Sequence, residues 1–516
     1  MRVSLLILIG ALALALVMFQ AVVAGAAAPS RPPNIVYILA DDLGLGDVRC
    51  YNPSGKIATP NLDRFASQGM RFTDAHSGSA VCTPTRYGIL TGRYSWRTSL
   101  KMGVLFGYDR PLIEPDRLTV PAFLRQSGYR TACVGKWHLG MDWPLAEGEN
   151  SDKIATGREV DYSKPIANGP TSFGFDRYFG ISASLDMPPY VFIDQDRTVG
   201  LPTVEKNFGR KGLAATGFKA EEVVPTLVQS AMSYIDTVAN ARRSGGSKPF
   251  FLYMPLTAPH TPLTPSREWS GKSGLCAYAD FVMQVDDAIG QVLASLEASG
   301  LAGETLVVVT SDNGYAPQAD YETLIEGGHD PSAGFRGTKA DIFEGGHRIP
   351  FIVRWPGRVH PGTTSDRLIC LTDLFATCAE ILGTHLPDSA GEDSVSFLPT
   401  LLGNVDAPGR EAIVHHSING SFAIRQGSWK LCLCPDSGGW TSPLPGTEEA
   451  KGLPRVQLYD LAKDPAERHN LQAERSDVVE RLTWLLEKYG ANGRSTPGIA
   501  QPNSGFSAEI PSAHKR

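Results

Sequence analysis

The 516-residue sequence predicts an α/β fold: a large mixed, mostly parallel sheet sandwiched by helices, followed by a smaller C-terminal α+β domain with a short antiparallel sheet and one helix. Three observations predict it. Apolar, β-branched runs recur and stop abruptly at polar residues, as buried parallel strands do. Helical patterns separate these runs, and strands alternating with helices give a sheet covered on both faces, whose ligand site lies outside the carboxyl ends of the strands. From about Ile413 the texture changes to short strands, turns and one amphipathic helix.

The chain opens with MRVSLLILIGALALALVMFQAVVAGAAAPS: a charge at Arg2, an apolar run from Leu5 to Phe19 and the small residues Ala24-Gly25-Ala26. Residues 1–26 read as a cleavable signal peptide, with an uncleaved anchor helix as the competing reading. A secreted, periplasmic or otherwise exported protein without stable membrane association follows.

The strand NIVYILADD then delivers Asp41 and Asp42, GYRTACVGKWH delivers Lys136 and His138, KPFFLYMPLTAPH delivers His260, and ETLVVVTSDNG delivers Asp312 and Asn313. TPNLDRFASQGM, LTVPAFLRQSG, VVPTLVQSAMSYIDTVAN and YADFVMQVDDAIGQVLASLEASG are the intervening helices, the last closed by glycine. Residues 33–412 form the catalytic domain on this reading. In residues 413–491, FAIRQGSWKLCL is a hairpin, LYDLAKDPAERHNL a turn-rich strand and SDVVERLTWLLEKYG a helix. Residues 492–516, rich in Gly, Pro and Ser, read as a poorly ordered tail.

A net charge of -6 without a polybasic block argues against a general nucleic-acid or anionic-membrane binder, so an anion site has to be local. Eight scattered cysteines are too few for a disulfide scaffold, with one or two bridges left open. Cys133 reads as strand core. Cys82 lies in VCTPTRYGILTGR, where Pro84 suits the first turn of a helix reaching about Thr91. The helix start favours an anion beside Cys82. The thiol alone is either a low-pKa nucleophile or a small buried residue.

The pattern C-x-P-x-R followed by L-T-G-R resembles the signature of the type I sulfatases of the alkaline-phosphatase superfamily, in which this cysteine is oxidised to formylglycine. Thr85 departs from the serine common there but keeps the hydroxyl. The resemblance runs through Asp41-Asp42, the G-K-W-H-L-G element with Lys136 and His138, His260 in A-P-H-T-P, S-D-N-G with Asp312-Asn313, and Lys339 before F-E-G-G-H-R-I-P-F. It implies hydrolysis of sulfate monoesters, with a formylglycine-generating enzyme as maturation partner. Asp41, Asp42, Asp312 and Asn313 are hard oxygen ligands that suit Ca²⁺ ahead of Mg²⁺, with the residue at Cys82 completing the sphere. Arg86, Lys136 and Lys339 are expected to neutralise the sulfuryl oxygens. One hydroxyl of the hydrated aldehyde attacks sulfur, His260 protonates the leaving alcohol, and His138 helps deprotonate the second hydroxyl as sulfate departs.

Two other readings stand beside this one: a formylglycine-dependent phosphonate or phosphate ester hydrolase, and a non-catalytic carbohydrate-binding relative. The substrate expected is a sulfated sugar or aryl sulfate ester, with exo action on 6-sulfated galactose or N-acetylgalactosamine. Asp186, His415 and His416 are candidate sugar contacts, and His347 and Arg348 candidates for the same rim. Ordinary loop polarity and strand-end histidines explain them equally well. Asn419-Gly420-Ser421 is a sequon.

Overall fold

A computed structural model describes residues 31–149, 153–404 and 406–503. The signal segment lies outside them. From Asn34 onward the chain is one compact unit.

Its main sheet has ten strands: β1 (Asn34–Asp41), β2 (Met70–Phe72), β3 (Arg130–Lys136), β4 (Arg177–Ile181), β5 (Ile193–Asp194), β6 (Arg197–Thr198), β7 (Phe250–Pro259), β8 (Thr305–Ser311), β9 (Phe351–Arg354) and β10 (Thr363–Ser365). They lie in the order β10-β2-β9-β8-β1-β7-β3-β4-β5-β6. The central five, β8-β1-β7-β3-β4, are parallel, while β9 runs antiparallel to β8 and to β2. The strand at the centre, β1, is buried along its whole length.

Strand alternation divides the core into two layers. Val36, Ile38 and Ala40 face a layer with Leu227 and Ile235 of α2 (Val223–Arg243) and Val285 and Val292 of α3 (Ala277–Ala298). Ile35, Tyr37 and Leu39 face the opposite layer with Ile89 and Leu90 of α1 (Cys82–Thr91). The apolar runs are therefore continuous because both faces are covered, and each fully buried Leu or Ile contributes about 1.5–3 kcal/mol.

The smaller sheet comprises β11 (Ile413–His416), β12 (Phe422–Gln426), β13 (Trp429–Cys432) and β14 (Gln457–Asp460), antiparallel in sequence order. Leu482, Leu485 and Leu486 of α4 (Ser476–Asn492) cover it, meeting Ile413, Ile424, Leu431 and Leu458. The expected fold class is the observed one. At the edge nearest α1, β11 continues into the loop before Cys82: Ala80 N donates to His416 O at 3.0 Å, and His416 N to Gly78 O at 3.3 Å.

Two expectations change. All eight cysteines are free thiols, so no disulfide forms. Residues 493–503, read as loose tail, are instead held by buried guanidinium groups. Arg93 Nη2 donates to Pro502 O at 2.8 Å, Arg97 Nη1 reaches Asn503 Oδ1 at 3.2 Å, and Asn503 Nδ2 donates to Gly490 O at 2.6 Å. Backbone carbonyls of a Gly/Pro-rich segment satisfy donors that burial would otherwise strand. Among the described residues, no helix is long and apolar enough to cross a membrane.

Candidate active site

The site forms where β1 and β8 end side by side. Asp312 N donates to Ala40 O at 3.1 Å, Asp42 N donates to Asp312 Oδ1 at 3.1 Å, and Leu43 N donates to Ser311 Oγ at 2.9 Å. The pairing register of β1 with β7 shifts between Leu39 and Asp41, and Asp42 adopts a left-handed φ of 68°. Such a conformation at a non-glycine residue costs of order 1–3 kcal/mol and persists only where its neighbours over-determine it. Here two strand ends do so, and consecutive carboxylates reach one centre. Gly314 lets the next turn close: a Cβ there would come within 1.9 Å of Gly345 O, so S-D-N-G and E-G-G-H are in backbone contact.

Cys82 begins α1, preceded by Val81 in an extended conformation, and every residue of the helix is buried. Thr85 uses its hydroxyl within the fold, donating to Ser79 O at 3.1 Å. Burial raises the Cys82 thiol above its ordinary range despite the opposing pull of Lys136 and Lys339. The low-pKa thiolate reading is thereby set aside.

Arg86 lies one turn into the helix and is fully buried. Its Nε and Nη2 donate to Asp312 Oδ2 at 3.1 and 2.7 Å, its Nη1 to Lys136 O at 3.1 Å, and Asp41 Oδ1 lies 3.5 Å from Nη2. The guanidinium thus braces the acids instead of lining an opening for sulfuryl oxygens. Lys136 Nζ donates to Asp41 Oδ2 at 2.7 Å and to Ser184 Oγ at 3.1 Å. Lys339 Nζ spans both oxygens of Asp42, at 2.7 and 2.8 Å.

Three buried cations therefore face three buried carboxylates in direct contact. Burial pushes the Asp41 carboxyl up, but Lys136, His260, Arg86 and Lys339 together outweigh it and hold Asp41 well below the usual carboxylate range. Asp312 goes the other way, raised to about 7 by burial and then by Asp41 beside it. Burial opposes the charge on Lys339 also, and Asp42 overcomes it, so its pKa is raised.

Whether the acids fit a metal ion is tested by their lone pairs. Asp41 Oδ1 and Asn313 Oδ1 are buried acceptors without a hydrogen-bond partner. Such atoms cost about 1–3 kcal/mol each unless something binds them. Asn313 Nδ2 donates to Asp42 Oδ1 at 2.7 Å, which fixes its amide oxygen inward. Asp41, Asp42 and His260 also present ligand atoms within 4.8 Å of one another. The residues present fit a hard divalent cation, with oxygen donors from Asp41, Asp42, Asp312 and Asn313.

Both histidines stand at this centre with defined hydrogen bonding. His138, at a left-handed φ of 57°, donates Nε2–H to Leu105 O at 2.7 Å. That contact fixes the tautomer and leaves Nδ1 a buried lone pair without a partner. Burial, then Lys136 and Arg86, hold its pKa well below the ordinary range, so it is neutral. His260 Nε2 is 3.6 Å from Asp42 Oδ2, and its ring meets Ser184 Oγ at 3.3 Å. Burial and Lys339 lower its pKa against the opposing effect of Asp42.

Ser184 was not among the expected residues. It bridges Lys136 and His260 from the loop after β4, and no motif marks it. Of the expected sugar contacts, Asp186 is the most exposed, its side chain 16% exposed and paired with Arg210. The others are corrected. His347 and His415 are fully buried and stacked at 3.7 Å, beside His76, whose Nδ1 is 3.0 Å from His347 Nδ1. His416 is buried against Ser95 Oγ at 3.1 Å. Arg348 is consumed by Glu344 and Asp74 at 2.8 and 2.9 Å. These residues join the two sheets and do not line the mouth.

Comparison with known proteins gives a consistent picture. Residues 33–384 match the family described as Sulfatase. An N-acetylgalactosamine-6-O-sulfatase of Bacteroides thetaiotaomicron is 36% identical over 507 residues, covering 89% of this chain and 93% of that protein. Human arylsulfatase A is 34% identical, covering 86% of this chain and 84% of its own. A solved structure from work on Bacteroides thetaiotaomicron metabolism of multiple glycosaminoglycans superposes with a TM-score of 0.77 at 33% identity, covering 89% of this chain and 99% of that one.

Proposed function

From the premise that this chain belongs to the sulfatase family and is a sulfuric ester hydrolase, we propose that it is an exported, formylglycine- and calcium-dependent enzyme acting on sulfated carbohydrates. The observation that carries this reading is the pair of buried oxygens of Asp41 and Asn313 that accept no hydrogen bond, in one site with Cys82, Lys136 and Lys339. Asp41, Asp42, Asp312 and Asn313 would hold the calcium ion, which would supply Lewis-acid polarisation at the sulfate ester. A formylglycine-generating enzyme converts Cys82 to the aldehyde, whose hydrate offers a hydroxyl nucleophile in place of a thiol that burial keeps protonated.

The remaining chemistry belongs to the chain. Lys136 and Lys339 neutralise the sulfuryl oxygens as they enter beside Asp41 and Asp42, while Arg86 keeps Asp312 in position. His260, the most exposed of the inner residues, donates a proton to the departing sugar oxygen. The free Nδ1 of His138 accepts a proton from position 82 as sulfate is released. Ser184 aligns Lys136 with His260.

The substrate class rests on the relative named N-acetylgalactosamine-6-O-sulfatase, and supports a 6-sulfated N-acetylgalactosamine or galactose at a non-reducing end. Desulfation of defined mono- and disaccharides sulfated at single positions tests this. Cleavage of 6-sulfated galacto-configured sugars ahead of 4-sulfated, 2-sulfated and gluco-configured ones is expected, and preference for any of the latter overturns it.

A further inference from the structure

Outside the catalytic centre, two loops leave it side by side. Leu105 receives the His138 ring at its carbonyl and binds Thr83 Oγ1 through its N–H at 3.2 Å, so Phe106 is the first residue beyond the inner shell. Ser184 contacts Lys136 and His260, and Asp186 follows two residues later. The two loops are in backbone contact: a Cβ on Gly107 would lie 1.9 Å from Pro188 O. A hairpin, Pro202–Asn207 with Lys211–Ala215, docks onto them through Tyr190 N to Leu213 O at 2.9 Å and Ala215 N to Tyr190 O at 3.0 Å. Its turn delivers Arg210.

The three residues so placed form a composite surface. Arg210 Nη1 pairs with Asp186 Oδ2, and its guanidinium carbon lies 5.4 Å from the centroid of the Phe106 ring. Phe106 is 49% exposed and the Arg210 side chain 47%, whereas Asp186 Oδ1 is buried and accepts no hydrogen bond. An exposed aromatic face and a half-free planar donor, held in place by the Asp186 carboxylate, match a pyranoside, which offers hydroxyls at its rim and an apolar C–H face.

Resting on the carbohydrate reading above, we propose that Phe106 and Arg210, the latter oriented by Asp186, form a saccharide subsite that selects sugar sulfates over simple aryl sulfates. Arg210, oriented by Asp186, donates to ring hydroxyls while Phe106 packs against the C–H face. The hydroxyls of the sugar are thereby oriented with its sulfate directed at Lys136, Lys339 and position 82. An aryl sulfate, held by its sulfate alone, makes none of these contacts.

The test is the kinetics of Arg210→Met and Phe106→Ala in the mature, metal-loaded enzyme, on a sulfated monosaccharide that the wild type cleaves and on 4-nitrophenyl sulfate. Each variant is expected to lose at least about tenfold in kcat/KM on the sugar, mostly through KM, and to stay within about twofold on the aryl ester. Arg210→Lys, which keeps the charge but loses the planar fork, is expected to restore only part of the loss. Equal losses on both substrates, or none on the sugar, overturn the subsite while leaving the carbohydrate reading intact. Turnover of aryl sulfate with no cleavage of any sulfated saccharide by the wild type overturns both.

Discussion

Asn313 donates its amide N–H to Asp42 Oδ1 at 2.7 Å, and so turns its own carbonyl oxygen into the acid centre. Asp42 at the end of one strand thereby orients a neutral oxygen donor at the end of the next. On the proposed metal site, removing Asp41 takes away a charged ligand whose Oδ1 accepts no hydrogen bond. Asp41→Ala is expected to weaken calcium binding beyond the roughly 10–100-fold that loss of an outer-shell partner costs. Calorimetry on the folded, chelator-treated protein measures it, and unchanged affinity excludes Asp41 as a ligand.

Cys82 sits at a helix start with its thiol raised by burial. The peptide containing it is expected to be about 18 Da lighter than the unmodified sequence, the mass difference between thiol and aldehyde. Cys82→Ala is expected to lose roughly 10⁴–10⁶-fold in turnover with an unchanged melting temperature. Intact-peptide mass spectrometry checks the first, and full activity with an unmodified peptide contradicts the assignment.

On the proposed mechanism His260 gives a proton to the leaving oxygen, so its removal matters most where that oxygen is basic. His260→Ala is expected to lose about 10²–10⁴-fold on alkyl sugar sulfates and much less on 4-nitrophenyl sulfate. A plot of rate against leaving-group pKa steepens accordingly, whereas a parallel shift excludes general-acid catalysis by His260.

The buried cluster of His76, His347 and His415 predicts acid sensitivity. Burial is the first cause that lowers all three below the ordinary histidine range; Arg348 acts with it on His76, His415 and Lys430 on His347, and His76 and Lys430 on His415. Facing them are Asp74, Glu344, Arg348, Arg425 and Lys430, with Glu467 beside Lys430. Because the folded pKa values are depressed, the unfolded chain binds more protons below about pH 6.5, and stability falls as pH drops through that value. Asp74 and Glu344, held low in the fold, lose their contribution only at more acidic pH, near the ordinary carboxylate range. Each excess proton gives a slope of about 1.4 kcal/mol per pH unit. Thermal melts from pH 8 to pH 5 are expected to show this decline and to flatten in His415→Gln; an unchanged slope in that variant removes His415 from the effect.

The inner site was legible because it sits at strand ends, where an apolar run followed by Asp, Lys or His marks both the element and the chemistry. The outer residues were not. His347, His415 and His416 look like strand-end polar groups in sequence, and only the pairing of β11 with the Ser79 loop shows that they fill a seam between sheets. Ser184 and Arg210 carry no motif because contacts across three loops create their roles. Residues 493–503 read as loose because Gly and Pro bury little, yet Arg93 and Arg97 needed their carbonyls.

The seam at β11 also sets a clock on biosynthesis. Cys82 is 2% exposed, and the loop before it is tied to residues far downstream, with His415 Nδ1 2.9 Å from a carbonyl 338 residues earlier. In the folded chain that thiol is shielded from other proteins. On the proposed formylglycine chemistry, oxidation is then expected to precede folding of this seam, so that a chain that folds first stays unmodified and inactive.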